Sequence, residues 1–301
     1  MRRDMRRDKQ TKKKKSKKFK TLKCAPKQGK NVADSLKGLS CYGNSEILNM
    51  KRIWNEKNKK QITTNTPKEI WKFLKANLSD TCYNELCWLN DKTFNSKINK
   101  DILIKSLFRP FSPDSWKKKP FEWLSSVDIL NVMNQYEKKH KNFVFLGPSP
   151  IDFDDKKLFG TCVWEKICKF DLSTYINTKT KIGFIFNMDP HYKDGSHWMG
   201  LFVDIEKKFI FYFDSNGDKI PKRIKILVDR IIDQGNKLNI NFKFMSNKGK
   251  EHQLKDGNCG IYALYFIIEL LTGNKKPQDF QTTRITDEEM SKHRLIYYNT
   301  K

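Results

Sequence analysis

Residues 251–262 constrain this chain more than any other stretch: a polar, glycine-punctuated loop runs directly into the most apolar segment, residues 261–271. That change of character predicts a turn followed by a mostly buried helix, with Cys259 at its N-terminus. A sulfur there meets the positive end of the helix dipole and free backbone N–H groups, which favour thiolate over thiol. Gly260, with no Cβ, leaves room for a substrate backbone beside the sulfur. A buried cysteine at a helix start is also ordinary core packing, so its partners have to decide between the two.

Those partners sit on strands. Residues 181–188, 197–205 and 208–214 are aromatic and β-branched, and Glu206-Lys207 makes a short polar turn, which predicts a hairpin from the last two. His197 begins one arm and Asp214 ends the other, so both fall at the same end. A helix opening at Pro221 (Ile224, Leu227, Val228, Ile231, Ile232) ends near Gly235, and a further strand at 241–245 precedes the cysteine loop. The pattern is α+β, with a small sheet packed on the helix that starts at Cys259.

Thiol hydrolysis needs a base, a group to orient it and donors for the oxyanion. His197 supplies the first and Asp214 the second. The backbone N–H of Cys259 and the side-chain amide of Gln253, six residues upstream, supply the third. Each residue alone is unremarkable: a strand histidine, an Asp in an Asp-Ser-Asn-Gly turn, a loop glutamine. Their joint occurrence at these spacings carries the reading. His191 and His252 are competing bases in polar loop sequence.

Three stretches are expected along the chain: a disordered basic tail (1–38), a helical arm (39–120) and the catalytic core (121–301). Residues 1–30 hold 15 of the 60 Lys and Arg and about half of the net charge of +26. Such a stretch repels itself and buries little, so it is expected to be disordered and able to bind nucleic acid. In the arm, Thr66 and Pro67 mark a helix start with apolar residues at 70, 71, 74 and 78, and further helices are expected at 80–88 and 99–108. Residues 109–120, broken by prolines, read as a boundary. Within the core a helix starts near Ser125 or Ser126. No apolar run is long enough for a membrane span, and no apolar stretch follows the charged N-terminus as in a secretory signal. Seven cysteines without CxxC spacing suggest a reducing compartment and no disulfide framework, and Cys82/Cys87 and Cys162/Cys168 do not have zinc-knuckle spacing. Neither metal nor cofactor is expected.

Gly195-Ser-His-Trp198, Phe213-Asp-Ser215 and Gln253 followed by Gly257-Asn-Cys-Gly260 resemble the His/Asp/Gln/Cys signature of SUMO-cleaving and adenovirus-type cysteine proteases, across roughly residues 121–273. Residues 122–129, 132–137, 150–153 and 187–191 are most similar to the branch found in large cytoplasmic DNA viruses, of African swine fever virus type. The resemblance implies a papain-related fold with a helical N-terminal arm, and a cysteine endopeptidase cleaving virion polyprotein precursors after Gly-Gly-like motifs in the host cytoplasm, the virus factory and the virion. It also implies substrate contacts by Trp198, Trp123, Asn258 and Gly260, with two tryptophans framing a cleft that admits glycine and excludes a Cβ. Two departures stand out: Trp123-Leu-Ser-Ser126 replaces Trp-Leu-Asn-Asp, which occurs literally only at Trp88–Asp91, and Asn258 replaces an acidic residue before the nucleophile. Rival expectations are a protease acting on ubiquitin-like modifiers and a basic nucleic-acid-binding virion protein with a vestigial protease fold.

Overall fold

A computed structural model describes residues 19–26 and 36–300; residues 1–18, 27–35 and 301, and with them most of the expected tail, lie outside the described residues. The described part of that stretch is packed: Leu22, Ala25 and Leu36 are buried, and Cys24 pairs with Phe108 across an isolated β-bridge.

The chain divides into two compact units, 1–22 with 33–107 and 23–32 with 108–301, so the proline-broken stretch 109–120 falls in the second. The first contains α1 (Asn44–Lys57), α2 (Pro67–Leu78), α3 (Glu85–Trp88) and α4 (Lys100–Leu107). Pro67 takes the first position of α2, where its missing N–H costs nothing, and Ile70, Trp71, Leu74 and Leu78 form its buried face. The 80–88 region is mostly turn, with a helix only over its last four residues. Buried Glu85 accepts the Trp71 indole N–H at 2.6 Å and the Cys41 amide at 3.1 Å.

The second unit contains α5 (Ser126–Lys139), β1 (Phe143–Phe145), β2 (Ser149–Pro150), α6 (Glu165–Cys168), β3 (Lys181–Asn187), β4 (Trp198–Asp204), β5 (Phe209–Phe213), α7 (Lys222–Lys237), β6 (Lys243–Ser246), α8 (Cys259–Thr272), α9 (Pro277–Thr282) and α10 (Asp287–Tyr297). Ser125 caps α5 by accepting the Asp128 amide, while Asp128 accepts the Ser125 amide, a reciprocal capping box. Strand order is β1-β3-β4-β5-β6 with β2 beside β3. β3, β4 and β5 are antiparallel neighbours, whereas β1, β2 and β6 pair in parallel.

The sheet is covered on both faces. Phe202, Phe211 and Phe213 pack with α8 and α5 on one side, and Leu201, Ile210 and Tyr212 face α7 on the other. The strands are therefore apolar throughout rather than alternating. Gly200 of β4 lets α8 close in: a Cβ there would lie 2.6 Å from the Phe266 ring.

The expectation of no disulfides is corrected. Cys82–Cys87 and Cys162–Cys168 are bridged, with Cα separations of 5.4 and 6.3 Å. Spacings of five and six residues allow this once a turn folds each pair within bridging range, and cysteine usage then no longer supports a reducing compartment. Among the described residues the free cysteine is Cys259.

Candidate active site

The β4–β5 pairing, with Gly200 opposite Phe213, brings the residue before β4 and the residue after β5 to one end of the hairpin. His197 Nε2 and Asp214 Oδ1 lie 2.8 Å apart there. That leaves Nδ1 unengaged by Asp214, and Cys259 is near enough for its sulfur to act on the imidazole. Burial alone would lower the His197 pKa. The hydrogen bond to Asp214, together with the influence of Asp214 and Cys259 beside the ring, outweighs it and raises the value to about 10.

Asp214 is fully buried and further held by two donors, the Asn216 amide to Oδ1 at 2.9 Å and the Tyr212 hydroxyl to Oδ2 at 3.3 Å. Burial and the adjacent carboxylate push the Tyr212 phenol well above its usual range, so it acts here as a donor. Asn247, one residue past β6, grips the Asp214 backbone from both sides: its Oδ1 accepts the Asp214 amide at 3.0 Å and its Nδ2 donates to the Asp214 carbonyl at 2.7 Å. Nothing local in the sequence marks Asn247, because parallel pairing of β6 with β5 alone brings it there.

Gln253 is tied to the same corner. Ser215 Oγ donates to Gln253 Oε1 at 2.8 Å, and the Gln253 amide donates to the Ser215 carbonyl at 2.9 Å. One Nε2 hydrogen goes to the Lys255 carbonyl at 2.8 Å, which leaves the second. Cys259 opens α8, where the helix offers its amide no internal acceptor. The loop thus has one side-chain N–H of Gln253 at its start and the backbone N–H of Cys259 at its end.

The loop itself is clamped by α10, a helix that nothing in the local sequence ties to the site. Buried Asp287 accepts the Leu254 amide at 3.0 Å, and Arg294, 3% exposed, donates to the Gly257 carbonyl, to Asn258 Oδ1 at 3.1 Å and to the Glu122 carbonyl at 2.8 Å. Gly257 has φ +96°, and a Cβ there would stand 2.1 Å from the Phe121 carbonyl oxygen, so only glycine fits.

The competing bases separate cleanly. His191 pairs with Asp152 at 2.6 Å on the far rim. His252 is fully buried between backbone groups, donating from Nε2 to the Phe280 carbonyl and accepting the Ile285 amide at Nδ1; burial lowers its pKa to about 4.

A cleft of about 1000 Å³ is lined in part by Trp123, Trp198, Gly195, Trp164 and His191. Trp198 is buried and its indole donates to the Leu124 carbonyl at 2.9 Å, whereas Trp123 is 43% exposed. Both tryptophans expected to frame substrate therefore reach this cleft. The other two expected contacts do not. Asn258 is buried and turned to Arg294, and the missing Cβ of Gly260 makes room for the Leu124 side chain, 3.0 Å away, rather than for a substrate. Trp88 of the literal Trp-Leu-Asn-Asp is buried in the first unit. Among the described residues no cluster of three metal-ligating side chains occurs, and no helix is long and apolar enough to cross a membrane.

The Ulp1 protease family, C-terminal catalytic domain, matches residues 168–301. A protein of Acanthamoeba polyphaga mimivirus that bears a thiol-protease name is 27% identical over 86% of this chain and 80% of its own. A SUMO-1 cysteine protease of African swine fever virus is 28% identical over 57% of this chain and 66% of its own. The crystal structure of the African swine fever virus protease superposes with a TM-score of 0.63 at 22% identity, covering 81% of this chain and 94% of that one, which shows a shared fold. With Cys259, His197 and Asp214 inside the matched region, residues 168–301 carry a match to the Ulp1 protease catalytic domain, and the chain is a cysteine-type protease similar to the mimivirus and African swine fever virus proteins.

Proposed function

We propose that Cys259 is the nucleophile, His197 its base, Asp214 the group that orients the base and Gln253, with the Cys259 amide, the oxyanion donor. The observation that carries this is the imidazole of His197, held by Asp214 at 2.8 Å on one nitrogen and near enough to Cys259 for the sulfur to raise its pKa. The Cys259 proton passes to Nδ1 of His197, and the sulfur attacks the carbonyl carbon of the scissile bond. The carbonyl oxygen becomes an oxyanion, received by the Cys259 amide and by Gln253 Nε2. His197 returns the proton to the departing amine, leaving a thioester. Water, deprotonated by the same imidazole, then hydrolyses the thioester and restores the thiol.

The substrate reading follows from the cleft. Trp123 and Trp198 line it together, and a chain passing between two indoles is best accommodated as glycine. That supports cleavage after Gly-Gly-like sequences. Virion precursor polyproteins are the proposed source of those sequences, and the virus factory and the virion the proposed place of the reaction; the occurrence of similar proteases in two viruses makes such precursors the first to test. A second reading, removal of a ubiquitin-like modifier, is supported equally by the Ulp1-family match. Mass-spectrometric mapping of new N-termini in candidate precursors, with wild-type and Cys259→Ala enzyme side by side, tests the first. A fluorogenic panel of ubiquitin-family C-termini tests the second, and activity on that panel with no precursor cleavage would transfer the assignment. Nucleic acid is a further proposed partner, bound by residues 1–30 through their charge. Deleting them is expected to abolish salt-sensitive retention on DNA, and equal retention by the truncated chain would remove the proposal.

A further inference from the structure

Residues 155–163 make a tight reversal whose tip carries the two most exposed large apolar side chains among the described residues: Leu158 is 86% exposed and Phe159 fully exposed. Lys156 bridges Cys162 in antiparallel fashion, the Lys157 amide donates to the Thr161 carbonyl at 2.7 Å, and the Val163 amide donates to the Asp155 carbonyl at 2.9 Å. Phe159 lies in the left-handed region with φ +69°, a conformation that a residue with a Cβ adopts only at a cost. Holding its ring in water is also unfavourable, and the ring packs on nothing in this chain that would offset either.

Both arms of the reversal are braced. The Cys162–Cys168 disulfide ties one to α6, while Arg223 Nη2 to Asp155 at 3.0 Å and Arg230 to Asp154 tie the other to α7. A tip held in this way has little freedom left to lose on binding. Its base opens on the cleft: Lys157, Val163 and Trp164 line it together with Trp123 and Trp198. Neither His197 nor Cys259 lines it, so the cleft runs to one side of the sulfur, the side of the two tryptophans. A chain with Gly-Gly between the indoles therefore has its preceding residues in this cleft, leading towards the tip.

We propose that Leu158 and Phe159 form an exosite for the substrate chain, taking an apolar stretch that lies upstream of the Gly-Gly and beyond the cleft itself. The tip precedes residues 168–301, which carry the match to the Ulp1 catalytic domain. A lipid surface fits less well. An apolar tip seats on an anionic bilayer when free cations surround it, whereas here Lys156 turns to Cys162 Sγ at 3.0 Å, Lys169 to Glu165 at 2.6 Å, and Arg223 and Arg230 to the two aspartates.

This deepens the proposed cleavage after Gly-Gly and rests on it for the direction of the chain. The test uses the full chain and three peptides that release a fluorescent amine after Gly-Gly: one acetylated directly before the glycines, one extended through a Gly/Ser spacer by a Leu/Phe-rich stretch, and one extended equally by a Ser/Thr-rich stretch. The apolar extension is expected to lower KM about tenfold against the other two, with kcat unchanged. Leu158→Ser with Phe159→Ser removes that advantage and leaves the rate on the short peptide as it was. Phe159→Gly suits the left-handed backbone, so it keeps or raises the unfolding temperature while losing part of the advantage, which a purely structural tip would not do. Equal KM for all three peptides, or an advantage kept by the double variant, would overturn the proposal. So would tip-dependent binding to phosphatidylserine vesicles, or tip-dependent dimerisation, without any discrimination among the peptides. Should the wild type cleave none of them, the Gly-Gly reading fails by itself. Anisotropy of the labelled Leu/Phe-rich stretch on Cys259→Ala then still decides: binding weakened about tenfold by the double variant supports the exosite, and absent or unchanged binding overturns it.

Discussion

Two histidines hang from the corner at Asp214-Ser215 and are driven in opposite directions. His197 faces a carboxylate and a thiol and is raised to about 10. His252, whose amide donates to the Ser215 carbonyl, is enclosed by a backbone carbonyl and a backbone amide and is lowered to about 4. Both rings are mostly buried, so burial is not what drives them apart. Partner chemistry is. An acceptor on one side and a donor on the other satisfy neutral imidazole and leave no place for a second proton, while two groups able to carry negative charge make imidazolium the favoured form. The corner thus carries one histidine suited to moving a proton and one that only fixes the loop leading to Cys259.

Removing the group that gives His197 its task is expected to have the largest effect. Cys259→Ala abolishes proteolysis while thermal unfolding stays close to wild type; near-wild-type cleavage by this variant would break the comparison. Asp214→Asn keeps the shape but replaces the acceptor, so turnover is expected to fall on the order of 10³-fold. A loss in KM alone would mean that Asp214 shapes the cleft and does not orient the base.

The next effect is in stability and has two limbs of opposite sign. His252 has a folded pKa below its unfolded value of about 6.5, so its contribution is complete above that pH. It is lost as pH falls towards 4, a loss of about 3 kcal/mol. His197 is raised, so its contribution is complete below about pH 6.5 and lost as pH rises towards 10. Denaturant unfolding across pH should show His252→Asn removing the acid limb and His197→Asn the alkaline one. The same limb disappearing in both variants would contradict the assignment. The smallest effect is assigned to Gln253→Ala, which should lower turnover about a hundredfold with little change in KM; an unchanged rate would move the oxyanion role to another donor.

Much of the site was legible because its signals are local. Two aromatic, β-branched runs joined by a two-residue turn put His197 and Asp214 at one end of a hairpin, and the structure keeps that arrangement within a residue of the expected strand ends. The start of α8 at Cys259 follows from the change of polarity at the end of the loop. Choosing among three histidines was harder, since His191, His197 and His252 differ in what surrounds them, and surroundings are not written beside a residue. Asn258 and Gly260, expected to touch substrate, turn inward because α10 and Leu124 occupy the space beside them. The disulfides escaped for a related reason: a cysteine count says nothing of how a turn folds.

By itself the sequence determined the α+β class, the hairpin and the helix that begins at the sulfur, since each depends on neighbours a few positions apart, and it singled out the residues proposed for thiol hydrolysis. Only the tertiary structure decided which imidazole meets the sulfur, how Asn247 grips Asp214 from 33 residues away, and that Arg294 reaches Asn258 across 36 residues and Glu122 across 172. Contacts over such separations are set by the packing of helices and strands in three dimensions. No periodicity along the chain encodes them.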